Sequence, residues 1–286
     1  MLVIKYRKIF YAFSALLVAA SFTAFWYFGF DFSIEFTGGS LLEIEYSKNI
    51  SSISQIEKSL TSEKLKGLGI QQTGDKRFLL RFGEVDEAGH QKILSALLGA
   101  KELRFETIGP IIGEELRKKT IIGLLLAVVG MFLYVGIAFR KVSRGIRSWR
   151  MSFAAILALV HDVVITGGGF VILSHYYGFE VGTLFVAAEL TIWGYSINDT
   201  IVVFDRIREN LIREGKKSPA EISGQSISQT IGRSINTSGA VLILLLVLLF
   251  MGPSPLLPFV APLIIGVIIG TYSSIFLATP LLLERA

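Results

Sequence analysis

Residues 9–30 read IFYAFSALLVAASFTAFWYFGF, twenty-two positions without a charged side chain. About twenty apolar residues in helical form cross the hydrocarbon core of a bilayer, so this run reads as a membrane span. Lys5, Arg7 and Lys8 precede it, and Ala19-Ala20-Ser21 imitates a secretory cleavage site. The apolar run continues through Phe25, Trp26, Tyr27 and Phe28, too long for a signal core, so it is read as retained. Comparable runs lie at about 120–139, 152–174, 182–204, 235–251 and 258–283, the fifth being the shortest. The expected fold class is therefore a polytopic α-helical membrane protein with six transmembrane helices.

Composition agrees. Of 286 residues 52% are hydrophobic and 18% charged, with a mean hydropathy of +0.60, whereas a soluble domain carries about a quarter charged residues. Arg140, Lys141, Arg144, Arg147 and Arg150 crowd one link; Arg206, Arg208, Arg213, Lys216, Lys217 and Arg233 crowd another. The links 175–181 and 252–257 hold no Lys or Arg. This alternation is the positive-inside pattern and places both termini in the cytoplasm. The net charge of +5 thus reports topology, and no nucleic-acid partner is expected.

The expected domains are 1–30, a cytoplasmic N-terminus and first span; 31–119, an extracytoplasmic domain; and 120–286, a five-helix bundle with a cytoplasmic amphipathic segment at 205–234. Within 31–119, Leu42, Ile44 and Tyr46 alternate with Glu43 and Glu45 as a strand. Ser52 and Gln55 suggest a capping box before a helix carrying Ile53, Ile56 and Leu60. A strand near 69–73 meets the turn Gly74-Asp75, and Phe78, Leu80 and Phe82 form another. Asp86 can cap a helix bearing Ile93, Leu94, Leu97 and Leu98, and Leu103 and Phe105 alternate inward on a last strand. The order β-α-β-β-α-β is the ferredoxin-like split unit. In 205–234, Ile207, Leu211 and Ile212 share a face that could lie along the inner membrane surface, and Pro219 starts a second helix.

Enzyme signatures are missing: no HExxH, no GxSxG, no P-loop lysine. Without cysteine there is no disulfide or thiolate centre, and three histidines make a transition-metal site unexpected. Gly167-Gly168-Gly169 lies inside a span and reads as a close helix contact rather than a ligand loop. No catalytic residue and no metal ligand is assigned. The informative residues are ionisable ones inside spans, because a charge at the bilayer centre costs about 2.5–3.5 kcal/mol even on the lenient scale. Asp199 sits in a polar island with Ser196, Asn198 and Thr200, which could supply it with hydrogen bonds; Arg233 begins the fifth span and could counter it, or snorkel to the headgroups as an arginine at a helix end more often does. His161 and Asp162 sit mid-span, as helix contacts or a relay, and Glu189 could reach the outer interface.

Several stretches resemble a known family. Asp31-Phe32-Ser33-Ile34-Glu35-Phe36-Thr37-Gly38-Gly39-Ser40 resembles the signature following the first span of SecD/SecF proteins. Ile108-Gly109-Pro110, Gly113-Glu114-Glu115-Leu116-Arg117, Leu159-Val160-His161-Asp162-Val163 and Gly270-Thr271-Tyr272-Ser273-Ser274-Ile275-Phe276 are similar too. The most specific run, Gly194 to Asn210 with Asp205-Arg206 inside it, resembles the SecF branch. Glu35 stands where the family usually has Asp, and Glu189 where an apolar residue is usual. The resemblance implies a bacterial inner-membrane subunit of the Sec preprotein translocase, related to proton-driven RND transporters. It implies a SecD homologue, the SecYEG channel, exported preproteins and the lipid bilayer as partners, and protons as the coupling ion with no other cofactor. It assigns the proton route to Asp199 and Arg233. The readings that stay open beside it are half of an RND-type small-molecule or lipid transporter, a non-transporting scaffold and, more remotely, a membrane hydrolase.

Overall fold

The computed structural model describes residues 2–46, 53–72, 76–139, 148–214 and 217–284. The expected cap at Ser52, the turn at Gly74-Asp75, the charges Arg140, Lys141, Arg144 and Arg147, and Lys216 lie outside the described residues. In chain order the elements are α1 (Leu2–Lys5), α2 (Arg7–Phe28), α3 (Ile34–Thr37), β1 (Gly39–Tyr46), α4 (Ile53–Leu60), β2 (Gly69–Gln72), β3 (Arg77–Phe82), α5 (Glu87–Ala96) and β4 (Ala100–Ile108). Then follow α6 (Pro110–Ala138), α7 (Ser148–Tyr177), α8 (Thr183–Arg213), α9 (Pro219–Met251), α10 (Leu257–Ser273) and α11 (Thr279–Leu281), with a π-helical turn at Ser274–Ala278. The chain divides into two compact units. One is Phe30–Ile122 with Leu173–Thr183; the other is Met1–Gly29, Gly123–Ile172 and Leu184–Ala286.

The first unit holds an antiparallel sheet of order β2-β3-β1-β4. Leu42, Ile44, Tyr46, Phe78, Leu80 and Phe82 bury against Ile56, Leu60, Ile93 and Leu97 of the two helices. Asp86 caps α5 as its sequence suggests, accepting from the Gly89 amide at 2.8 Å. Three inward side chains expected from periodicity turn out instead, the first being Ile53, the opening residue of α4. The register between β1 and β4 slips between Glu43 and Ile44, which pair with Arg104 and Glu102, so Leu103 is the extra bulge residue and is exposed. Leu98 lies beyond the end of α5 and is 85% exposed.

The paired glycines have a steric cause. Gly38 (φ +71°) would put a Cβ 2.7 Å from Pro110 Cα, and Gly39 (φ +121°) would put one 2.7 Å from the Phe82 carbonyl oxygen. Only glycine allows that conformation and that approach. Residues 173–183 join the same unit. Val181 N–H donates to Asp31 O at 2.7 Å, Ser33 N–H donates to Val181 O at 3.1 Å, and Arg81 pairs with Glu180 at 2.5 Å. Burial pushes the Glu180 carboxyl above its ordinary range, opposed by Arg81 and the Ser33 hydroxyl. Glu35 accepts from Thr183 N–H at 2.6 Å and Thr183 Oγ1 at 2.8 Å, so its carboxylate serves the first residue of α8.

The second unit is helical. Among the described residues five helices are long and apolar enough to cross a membrane: Arg7–Phe28, Pro110–Ala138, Trp149–Tyr177, Pro219–Met251 and Ser254–Leu281. The run expected as a fourth span lies in α8, a 31-residue helix whose charged length sets it apart by composition, while twelve of its residues, from Ala188 to Leu211, are buried. The glycine triplet on α7 works as a contact surface: Gly167 faces Phe25, Gly168 lies against Ser21 and Gly169 against Ile265. The 205–234 stretch is not a surface-lying segment. Its first part is the end of α8 and its second the start of α9, which Ser218 and Glu221 open with a capping box and Pro219 at the first turn. Ile207 and Leu211 bury with Ile222 and Ile227, and Asn210 donates to Ser226 Oγ and Gln229 Oε1, so the apolar face meets protein rather than lipid; Ile212 alone stays exposed.

Candidate functional site

The second unit gathers its polar side chains between α7, α8, α9 and α10. Asp162 on α7 is wholly buried. Its Oδ1 lies 2.9 Å from His161 Nδ1 in a hydrogen bond whose direction the ring's tautomer sets, and its Oδ2 accepts from Ser196 Oγ at 2.6 Å and Ser273 Oγ at 2.7 Å. One carboxylate is thus bonded from its own helix, from α8 and from α10. Close approach makes this possible: Gly270 lets α10 lie against Ser196, and Gly266 lies against Ile192.

Asp199 has different company. Ser234 Oγ on α9 donates to its Oδ1 at 2.6 Å, Ser274 is near enough to act on it, and its Oδ2 is buried without a hydrogen-bond partner. The expected island does not supply it. Ser196 serves Asp162, Asn198 is exposed, and Thr200 Oγ1 meets Ser274 Oγ at 2.9 Å. Helical geometry is the reason: residues 196 and 200 share one face, whereas 199 is turned about 100° from 200, toward α9. Arg233 is next to the donor Ser234 but is exposed and makes no ion pair with Asp199 among the described residues; its charge acts on Asp199 through space. It borders a cleft of about 250 Å³ with Ile201, Asp205, Arg206, Glu209 and Thr230.

Glu189 does not reach an outer interface. It is buried, accepts from Trp193 Nε1 at 3.2 Å, and leaves Oε1 without a partner. The signature residues separate: Phe36 and Gly39 are buried, Gly38 is half-buried, Thr37 is exposed, Asp205 pairs with Arg208, and Arg206 pairs with Glu209. No cluster of three metal-ligating side chains occurs among the described residues.

Sequence reasoning passed over Ser234, Ser273 and Ser274. A signal for the first was present: Ser226, Thr230, Ser234 and Ser238 recur every four residues and form one buried stripe on α9. Ser274 opens the π turn. Thr279 Oγ1, at the end of that turn, donates to Ser274 O at 3.0 Å.

The family model described as "Protein export membrane protein SecD/SecF, C-terminal" matches residues 91–286, and the "SecD/SecF GG Motif" model matches 26–50. Protein translocase subunit SecF of Thermobaculum terrenum is 36% identical over 298 residues, covering 99% of this chain and 93% of that protein. The SecF subunit of Desulfurispirillum indicum is 40% identical over 95% of this chain and 87% of its own. Among solved structures, SecDF from Thermus thermophilus, described as a translocon-associated membrane protein, superposes with a TM-score of 0.84 at 35% identity. The match covers 97% of this chain and 37% of the SecDF chain, so this chain spans a little over a third of that protein's length.

Proposed function

This chain belongs to the SecD/SecF protein-export family, and on that premise we propose that it is a Sec translocase accessory subunit that draws on the proton motive force through Asp199. The observation that carries the reading is the Asp199 carboxylate itself: Ser234 on α9 donates to Oδ1, Ser274 stands near, and Oδ2 is buried without a hydrogen-bond partner. A fully satisfied carboxylate would be held in one state; this one has a free oxygen on which a proton can sit. A charge moved through the membrane field gains about 2.3 kcal/mol per 100 mV, enough to shift helix packing by a modest equilibrium factor.

The proposed architecture is six spans, with α8 as the fourth, both termini cytoplasmic, in the bacterial inner membrane. Residues 1–30 would supply the first span, 31–119 a ferredoxin-like extracytoplasmic domain, and 120–286 the five-helix bundle. The β2-β3-β1-β4 order supports the ferredoxin-like assignment. The burial of α8 supports its place as a central span: its polar face is covered by other helices, as a membrane interior demands. A SecD homologue supplies the other half of the RND-like unit, and SecYEG and the exported preprotein are the further partners.

Reconstituted export with and without a proton gradient tests this. Asp199→Asn keeps the shape and the Ser234 contact but cannot cycle its charge; the gradient-dependent increment of export should vanish while assembly with SecD survives. Arg233→Met should weaken the increment, and Arg233→Lys should retain part of it. Glu189→Gln can keep the Trp193 bond and should change little. An undiminished gradient response in Asp199→Asn refutes the proposal.

A further inference from the structure

The Asp162 carboxyl has three hydrogen-bond partners, two on Oδ2 and one on Oδ1. Two hydroxyls donate to Oδ2, and a proton on His161 Nδ1, 2.9 Å from Oδ1, would complete the donor set around an anionic carboxylate. With that proton on Nδ1, the other nitrogen of the neutral ring, Nε2, bears a lone pair. Nε2 is buried and has no hydrogen-bond partner, and the residue is 7% exposed. Most buried side-chain polar atoms have a hydrogen-bond partner, and this one has none. His161 also lines a cleft of about 360 Å³, with Tyr11, Ser14, Val18 and Phe22 of α2 and Leu277 of the π turn.

We propose that His161 Nε2 is a second proton-binding site of the bundle, distinct from Asp199, with Asp162 as the residue that positions and neutralises it. The proton, donated by bulk water, adds to the Nε2 lone pair, although the cleft beside the ring is walled almost entirely by apolar side chains. The resulting imidazolium is balanced by the carboxylate 2.9 Å away, so no unpaired charge is left in apolar surroundings. Release reverses the step, and no bond besides N–H forms or breaks. The arrangement is the carboxylate-oriented imidazole known from proton-transfer sites in general.

The other titratable groups around the pair are few. Tyr272 stacks on the His161 ring at 6.3 Å, and its hydroxyl meets Ser14 Oγ at 3.2 Å. Tyr11 in the cleft wall donates to Glu284 at 3.4 Å, and Glu284 pairs with Arg7 at 2.7 Å. From α8, Glu189 lies near enough for its charge and that of Asp162 to interact. Asp199 lies beyond Ser274, the chain neighbour of Ser273, so the two acidic sites draw on adjacent hydroxyls of one helix. A proton at His161 strengthens the pull on Asp162 that its bonds to Ser196 and Ser273 share, and this links its occupancy to the contact between α7, α8 and α10.

The proposal rests on the reading of the bundle as a proton carrier, and its test is separate from export. The chain has three histidines, His90, His161 and His175, so ring ¹⁵N spectra of the full chain in lipid nanodiscs with its SecD partner are tractable. His90→Gln with His175→Gln leaves His161 as the single labelled ring. The expected result is a neutral ring protonated at Nδ1 in alkali that becomes doubly protonated on acidification. Asp162→Asn should cut the imidazolium fraction at a given pH about tenfold or more and abolish the tautomer preference. Should Asp162→Asn not accumulate, Ser273→Ala, which frees the carboxylate from one donor, should raise that fraction instead. Asp199→Asn should leave the ring's transition in place. A ring that stays neutral through the acid range, or that carries its proton on Nε2 when neutral, overturns the inference. Export that still responds to the gradient in Asp199→Asn would overturn the Asp199 reading alone, leaving the ring spectra to decide this one.

Discussion

Replacing Gly168 by alanine adds one methyl group where two helices nearly touch. An ideal Cβ there lies 2.5 Å from both Ser21 Cβ and Oγ and 2.7 Å from Ser21 Cα. Carbon atoms pack best at about 3.5–4.0 Å, so α2 and α7 must separate by about 1 Å locally. The Cα is main chain and cannot rotate away. Overpacking of this kind costs about 1–3 kcal/mol, against which alanine recovers about 1 kcal/mol of helix propensity. Gly130→Ala on α6 is the matched control, since its Cβ would meet nothing within 4 Å and it gains the same propensity. The difference between the two variants is therefore the packing cost alone, a roughly five- to hundredfold change in the folding equilibrium. SDS titration of the isolated chain in mixed micelles, followed by tryptophan fluorescence with Trp193 buried in the core, reads that difference. Ser21→Gly in the Gly168→Ala background removes two of the three close atoms and should restore part of the loss. Identical midpoints for Gly168→Ala and Gly130→Ala would refute the contact reading of the triplet.

Glu35→Gln leaves one of two acceptors for Thr183, and the loss of a cap worth about 1 kcal/mol should speed amide exchange at Thr183 about fivefold; unchanged exchange would show that the contact does not hold the helix end. Glu180 has a raised folded-state pKa, so folding favours its protonated form; that stabilisation is present below the ordinary carboxylate range and is lost as pH rises through the raised value. Amide protection of Val181, whose N–H is bonded to Asp31 O, should fall across that window and become flat in Glu180→Gln; a window that persists in Glu180→Gln would assign the effect to another group. Asn210→Ala strips two hydrogen bonds from the α8–α9 hairpin and leaves Ser226 and Gln229 to find other partners; a loss of about 1–3 kcal/mol in the same micelle titration is expected, and a neutral result would mean the hairpin is held by Ile207 and Leu211 alone.

The membrane class, the placing of five apolar helices and the strand order along the first unit were all legible in the sequence. Each depends on a short-range pattern: twenty apolar residues to span lipid, alternation to make a half-buried strand, Asp86 or Ser218-Pro219 to start a helix. Gly38 and Gly39 could be read as special, though the reason, a carbonyl and a proline 2.7 Å from where a Cβ would be, required the fold. The direction of β4 failed at Leu103 because a bulge is an agreement between two strands, and nothing in one strand's alternation announces it. The rise of the α8–α9 hairpin in place of a surface helix was hidden for a like reason: an apolar face looks the same whether lipid or another helix will cover it.

For the buried carboxylates the division is sharper. The sequence by itself determined that Asp162, Glu189 and Asp199 lie within apolar stretches and must be compensated, because a lone charge there costs too much to be left uncovered. It could not determine who compensates whom. Asp162 takes its donors from residues 34 and 111 positions away, and Asp199 takes Ser234 from the next helix rather than Ser196 or Asn198 from its own. Local spacing sets which face of a helix a side chain occupies, but only packing of α7 to α10 decides which hydroxyl stands opposite, since hydrogen bonds act over about 3 Å and carry no memory of sequence distance.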